Sequence, residues 1–126
     1  MKENDISYKI RGVVFEIHKQ LGPGLLESVY EEILFSELVS IGLKVKRQAP
    51  IPVVWKGTKL EHGFRADLII ENKVIIEIKS VESIAKVHFK QLATYVKLSN
   101  MKLGLLINFN EADINLGIKR YINGEL

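Results

Sequence analysis

Asp67, Glu77 and Lys79 are the residues of this chain whose types and spacing invite chemistry. They lie in the stretch from Phe64 to Ser80, where two apolar runs, each broken by acid, flank a short polar turn. A strand that otherwise reads Val-Ile-Ile-Ile has no packing reason to carry Glu and Lys two residues apart. Charged groups are rarely buried unless they are paired or bound to metal, because removing them from water is costly. Strand alternation puts Glu77 and Lys79 on one face. Asp67 and Glu77 offer hard oxygen ligands of the kind Mg²⁺ or Mn²⁺ prefers, and the carbonyl of Ile78, between the two site side chains, completes a plausible inner shell. Lys79 adds a positive charge able to hold an attacking water or to stabilise negative charge on a phosphate. A cross-strand Asp–Lys or Glu–Lys pairing that only keeps one sheet face soluble explains the spacing equally well.

Register decides between these alternatives. A three-residue loop, Glu71 to Lys73, opposes Asp67 to Glu77 and points both carboxylates the same way. A two-residue loop, Asn72-Lys73, opposes Asp67 to Ile78 and sends them to opposite faces. The expectation is the first register, or a bulge that restores it.

Three further polar residues fall where helices are expected. Glu27 follows Pro23-Gly24 in the first turn of a helix, where the helix dipole alone favours an acid. Gln91 and Tyr95 lie four apart on another helix, with His88 three before Gln91, so all three share one face. That face can position a water or a phosphate, or can simply be half exposed, with Tyr95 packed and its hydroxyl at the rim. His18 and His62 lack a second histidine or cysteine at ligand spacing, which argues against zinc. No Gly-x-Ser-x-Gly elbow or Walker-type loop is present.

The elements that must carry these residues follow from periodicity. Ile10, Val13, Val14, Ile17 and Leu21 mark a helix from residue 6 to about 20, with Asp5 or Ser7 as cap. Gly22-Pro23-Gly24 breaks it, and a second apolar stripe from Leu25 to Ile41 predicts another helix stopped at Gly42. Strands are expected over Leu43–Arg47, Ile51–Trp55 and Lys59–Ile70, with Lys56-Gly57 as a turn and Pro50 and Pro52 marking an edge or a bend. A helix from Ile84 to Leu98, capped by Ser83, carries Ile84, Val87, Leu92 and Val96 on its apolar side. Leu103 to Phe109 reads as a buried strand, and a helical crossover implies parallel pairing with the strand of Glu77. Residues 114–123 fit a strand or a short helix.

At 126 residues the chain is expected to be one domain, 1–126, able to bury a core without staples. It has no cysteine, so disulfides and thiolate chemistry are excluded. No apolar run approaches the length of a membrane span, and the first residues lack the pattern of a signal peptide, so a cytoplasmic location is the expectation. The net charge of +3 is mild, but Lys44, Lys46, Arg47, Lys56 and Lys59 cluster in one third of the chain. Such residues contact phosphates, or keep a ribbon edge soluble.

Taken together these pieces resemble the PD-(D/E)XK nuclease superfamily. Asp67, nine intervening residues and Glu77-Ile78-Lys79 are similar to its signature, with Ala66-Asp67 in place of Pro-Asp. Gln91-Leu-Ala-Thr-Tyr95 resembles the QxxxY element of its exonuclease-type branches, and Gly24-Leu-Leu-Glu27-Ser-Val-Tyr30 the motif of the GxxExxY proteins within it. The resemblance implies an α/β (α+β) fold with a restriction-endonuclease-like αβββαβ core, a mixed central sheet flanked by helices. It implies Asp67 and Glu77 as metal ligands, joined by Glu27 from the preceding helix, with Lys79 catalytic and Gln91 and Tyr95 in support. Glu27, Asp67 and Glu77 are then expected to converge. The activity so implied is Mg²⁺- or Mn²⁺-dependent hydrolysis of nucleic acid, DNA first. The rival is a catalytically silent module of the same fold that binds nucleic acid or protein. No membrane role is expected, and a homodimer or a protein partner is left open.

Overall fold

The computed structural model describes residues 1–126 except for the side chains of Glu61 and His62, so His62 lies outside the described residues. The chain opens with two helices, α1 (Glu3–Leu21) and α2 (Glu27–Ser40), and continues into a meander of β1 (Val45–Trp55), β2 (Thr58–Ile70) and β3 (Val74–Lys79). Then come α3 (Lys86–Leu98), β4 (Leu103–Asn108), a single turn α4 (Ile114–Gly117) and β5 (Ile118–Ile122). The five strands form one sheet in chain order, antiparallel except for the parallel β3–β4 pair. This is the mixed α+β architecture that the motifs imply: helix, three-strand meander, helix, parallel strand.

Helices cover both sheet faces, and each face has its own core. Ile6, Ile10, Val14 and Ile17 of α1, and Tyr30, Leu34 and Leu38 of α2, pack on Leu68, Ile70, Val74, Ile76 and Ile78. Leu92, Tyr95 and Val96 of α3 pack on the other face, against Ile69, Ile75 and Leu106. A strand pair buried on both faces needs apolar side chains throughout, which is why β3 and β4 read as continuous Val/Ile/Leu runs. Against that background Glu77 stands out, only 6% exposed. At Gly104 of β4 an added Cβ would lie 2.6 Å from Val96 Cγ2 and 2.7 Å from Leu92 Cδ1. The missing side chain is what lets α3 sit directly on the sheet.

Several expectations needed correction. Helix α1 begins at Glu3, so neither Asp5 nor Ser7 is its cap; Asp5 accepts the Lys2 N–H from within the first turn at 3.2 Å. Ser7 is buried and accepts from Arg120 at 3.1 Å. Leu43–Arg47 and Ile51–Trp55 are one strand, because β1 is an edge strand and tolerates Pro50 and Pro52 on its unpartnered side. Helix α3 starts two residues late, after Ala85, and leaves Val87 exposed while Tyr95 turns inward. Residues 114–123 hold both a helical turn and a strand. The stop at Gly42 (φ +91°) and the two-residue turn at Lys56-Gly57 lie where expected.

Candidate active site

The site forms where β2 leaves β3. The two strands pair at Ile70–Val74, Ile69–Ile75 and Leu68–Ile76, around the three-residue loop 71–73 in which Glu71 and Asn72 both take φ +54°. One step further along this register Asp67 stands opposite Glu77. There the regular ladder stops, and β2 continues with β1 alone as a two-stranded ribbon.

Side chains replace the missing ladder bonds. The Asp67 N–H donates to Glu77 Oε1 at 3.2 Å, and the Ile78 N–H donates to Asp67 Oδ2 at 2.7 Å. Each carboxylate is therefore held by the strand of the other, with one oxygen committed. The second oxygen of Asp67 is approached by the Gln48 amide at 3.3 Å. The second oxygen of Glu77 has no protein donor among the described residues and is reached by solvent.

Two carboxylates this close and this dry resist ionising together. Burial pushes Glu77 up to about 8, the charge of Asp67 is the next cause, and the Asp67 N–H and Lys79 oppose the rise. Asp67 is also raised, first by burial and then by the charge of Glu31, against the pull of the Ile78 N–H, Gln48 and Lys79. A positive charge beside such a pair favours its ionised form.

A sequence model described as the PD-(D/E)XK nuclease superfamily matches residues 4–121. The chain belongs to that superfamily. Membership points to nuclease-type chemistry. No curated protein matches the chain. Among solved structures it is similar to the crystal structure of SSO0001, with 27% identity, a TM-score of 0.49 and 79% of this chain covered; it spans 51% of that protein.

Around the Asp67–Glu77 pair of this PD-(D/E)XK domain the other candidate residues are arranged unequally. Lys79, two residues beyond Glu77, is the positive neighbour of both acids. It is held at the end of β3, where its carbonyl accepts from the Phe109 N–H at 2.9 Å. The buried Asn108 clamps the following loop by bonding both the N–H and the C=O of Val81. Tyr95 faces the pair from α3, packed on Phe64 with ring centroids 4.9 Å apart. Burial raises its phenol first, with the charges of Glu77 and Asp67 adding. Gln91, one turn earlier, is exposed and makes no hydrogen bond among the described residues. His88 turns away to cap α3, its Nδ1 accepting from the Ala85 N–H at 3.2 Å, and His18 bonds the Glu111 carbonyl at 2.7 Å.

Glu27 does not converge on Asp67 and Glu77. Among the described residues no three acids or histidines lie close enough to hold one ion. As the first residue of α2, Glu27 reaches past Lys79, where it accepts the Ser80 N–H at 3.2 Å while Ser80 Oγ donates to the Leu25 carbonyl at 2.6 Å. The helix carboxylate that approaches Asp67 is Glu31, one turn further on. Glu31 is buried, takes Arg47 Nε and Gln48 Nε2 at 2.7 Å each, and connects to Asp67 through that same Gln48 amide. Arg47 is raised above its usual value, chiefly by its hydrogen bond to Glu31.

Glu31 and Gln48 escape a reading by motif. Glu31 lies four residues after Glu27, so the two share a helix face, and spacing alone does not say which turn of α2 sits over the sheet. Gln48 is an ordinary strand residue by type, yet it adopts φ +49° opposite Asp67. The one available signal is the charge pattern: an acid on the buried side of α2 needs a cation, and Arg47 is the first arginine of the following strand.

Proposed function

We propose that this domain is a divalent-metal-dependent phosphodiester hydrolase acting on nucleic acid, DNA first, with its centre at Asp67 and Glu77. The observation that carries the reading is the carboxylate pair at the β2–β3 separation, where backbone N–H groups hold one oxygen of each acid, leaving the second oxygen of Glu77 without a protein donor and that of Asp67 with only the Gln48 amide at 3.3 Å. The donor set fits Mg²⁺ or Mn²⁺. Such ions prefer hard oxygen, keep several waters, and are commonly held by one or two carboxylates plus substrate phosphate. Asp67 and Glu77 would hold the ion, with the carbonyl of Ile78 completing the protein's share. When bound, the metal supplies Lewis-acid polarisation of the phosphoryl group and lowers the pKa of a coordinated water.

The chain's own residues then have separable tasks. Lys79, a compact ammonium with three donors and no acceptor, orients the attacking water and neutralises charge that develops on the phosphoryl oxygens. Tyr95 walls the site on the α3 side, and Gln91 on the exposed turn before it reaches toward the substrate backbone. Glu31, through the Gln48 amide, fixes the direction of Asp67 Oδ1. Glu27 acts from the end of β3, holding the Ser80 turn behind Lys79. The motif Gly24-x-x-Glu27-x-x-Tyr30 has a plain local use that supports placing the chain with the GxxExxY proteins. Tyr30 donates to the Gly22 carbonyl at 2.5 Å and stacks on Phe109 at 4.3 Å, which anchors the start of α2 beside the site.

Among the described residues no helix is long and apolar enough to cross a membrane; we place the protein in the cytoplasm, where its nucleic-acid substrate lies. Calorimetry with Mn²⁺ on the wild type and on Asp67→Ala tests the metal site. Heat of binding in the first and none in the second is expected, and no binding by the wild type defeats the reading.

A further inference from the structure

The β1–β2 ribbon runs past the site and ends in a feature that neither the core nor the metal centre uses. Its tip is the turn Trp55-Lys56-Gly57-Thr58, and Trp55, the chain's one tryptophan, is 65% exposed. Its only described aromatic or cation partner is its neighbour, Lys56 Nζ lying 5.6 Å from the ring centroid. An aromatic ring held in solvent presents a flat face on which a nucleic-acid base can stack.

Charge is segregated onto the same ribbon. From Val45 to Ile70 the two strands and their turn hold five Lys or Arg against two acids, a net +3, which is the whole chain's net charge, so the remaining residues sum to zero. One of the five, Arg47, is committed to Glu31, which is the one ion pair among the described residues. Lys46, Lys56, Lys59 and Arg65 are all exposed. A second copy of this chain is a poor fit to the ribbon: its outer strand is interrupted by Pro50, Pro52 and the positive-φ Gln48, and like charges would face each other.

We propose that the ribbon is a nucleic-acid arm, in which Trp55 stacks on an unpaired base and the four exposed cations track the phosphates that lead to Asp67 and Glu77. The proposal rests on the phosphodiesterase reading and deepens it by naming the substrate form, a single strand or a frayed end. Geometry sets the footprint. Gln48 stands opposite Asp67 and Trp55 lies seven residues further along the strand, a span of roughly 23 Å at about 3.3 Å per residue. At about 3.4 Å per stacked nucleotide this puts the stacked base roughly seven nucleotides from the scissile phosphate.

The test uses Trp55 as its own reporter, in EDTA so that nothing is cleaved. A single-stranded DNA 20-mer titrated into the protein should quench tryptophan emission in step with the rise in oligonucleotide anisotropy. Trp55→Ala should weaken that binding about tenfold, the order expected for one stacked base, with Trp55→Phe recovering most of the loss. Lys56→Gln with Lys59→Gln should reduce the slope of log K against log salt by about 1.4, for two phosphate contacts on a single strand. A four-nucleotide oligomer should be indifferent to Trp55→Ala. Unchanged emission on binding, equal affinity for Trp55→Ala, or emission that changes with protein concentration in the absence of DNA would each overturn the arm, the last by assigning the tip to a second copy. Quenching without cleavage when Mn²⁺ is restored removes the hydrolase and keeps the arm. Cleavage with a silent Trp55 does the reverse.

Discussion

Glu77→Gln should stabilise the metal-free protein at pH 8 and leave it unchanged at pH 5. Glu77 moves from 4.5 to about 8 on folding, principally through burial. A raised carboxyl pKa means that the folded state binds the proton more tightly, so this contribution is fully present below about pH 4.5 and is lost as pH climbs toward 8. Three and a half units correspond to about 5 kcal/mol at the limit, of which about 4 is lost between pH 5 and 8. Water entry into the site reduces that to about 2–3 kcal/mol. Glutamine keeps the shape and its Oε1 still accepts the Asp67 N–H, but it never ionises. With a melting entropy of about 2.1 cal/mol/K per residue, 2–3 kcal/mol is about 10 °C in Tm for this chain. The assay is a Tm–pH series from 5 to 8.5 in EDTA for both proteins. A steep fall in the wild type and a nearly flat line in the variant are expected. Parallel curves would refute the claim that Glu77 is buried beside a second acid.

Other consequences follow from the same contacts. Mn²⁺ must displace the proton on Glu77, so calorimetric affinity should rise about tenfold per pH unit between 6 and 8, and a flat profile would deny Glu77 a place in the site. Gly104→Ala inserts a methyl against Leu92 and Val96; it should cost about 1–3 kcal/mol in urea unfolding and lower activity by shifting α3 and Tyr95, and a neutral result would contradict the close packing. Tyr30→Phe keeps the stack on Phe109 but removes the bond to Gly22, and should lose about 1 kcal/mol without altering Mn²⁺ affinity.

Local rules went far in this chain where one residue set a geometric choice. The expected three-residue loop 71–73 sets the register that points Asp67 and Glu77 the same way, the apolar run of β4 marks a buried strand, and the helical crossover through α3 makes it parallel to β3. They failed where the answer depended on how whole elements dock. Glu27 and Glu31 are equivalent on a helix surface until the depth of α2 against the sheet is known. Pro50 and Pro52 correctly mark an edge, but not the expected interruption between strands; an edge strand needs no donor on its open side, so β1 runs through both. Gln48 carries no mark in its residue type of the φ +49° it adopts within β1.

The proposed function has Asp67, Glu77 and Lys79 hydrolyse phosphodiester bonds with a divalent metal. Its most direct test is the cleavage of end-labelled single- and double-stranded DNA by purified wild type, Asp67→Asn and Lys79→Ala, each with Mn²⁺ and with EDTA. Cleavage by the wild type only in Mn²⁺ is predicted, reduced by about 10²- to 10³-fold in Lys79→Ala, with Mn²⁺ binding intact in that variant and lost in Asp67→Asn. No cleavage by the wild type in Mn²⁺, or equal cleavage by all three proteins, would contradict it.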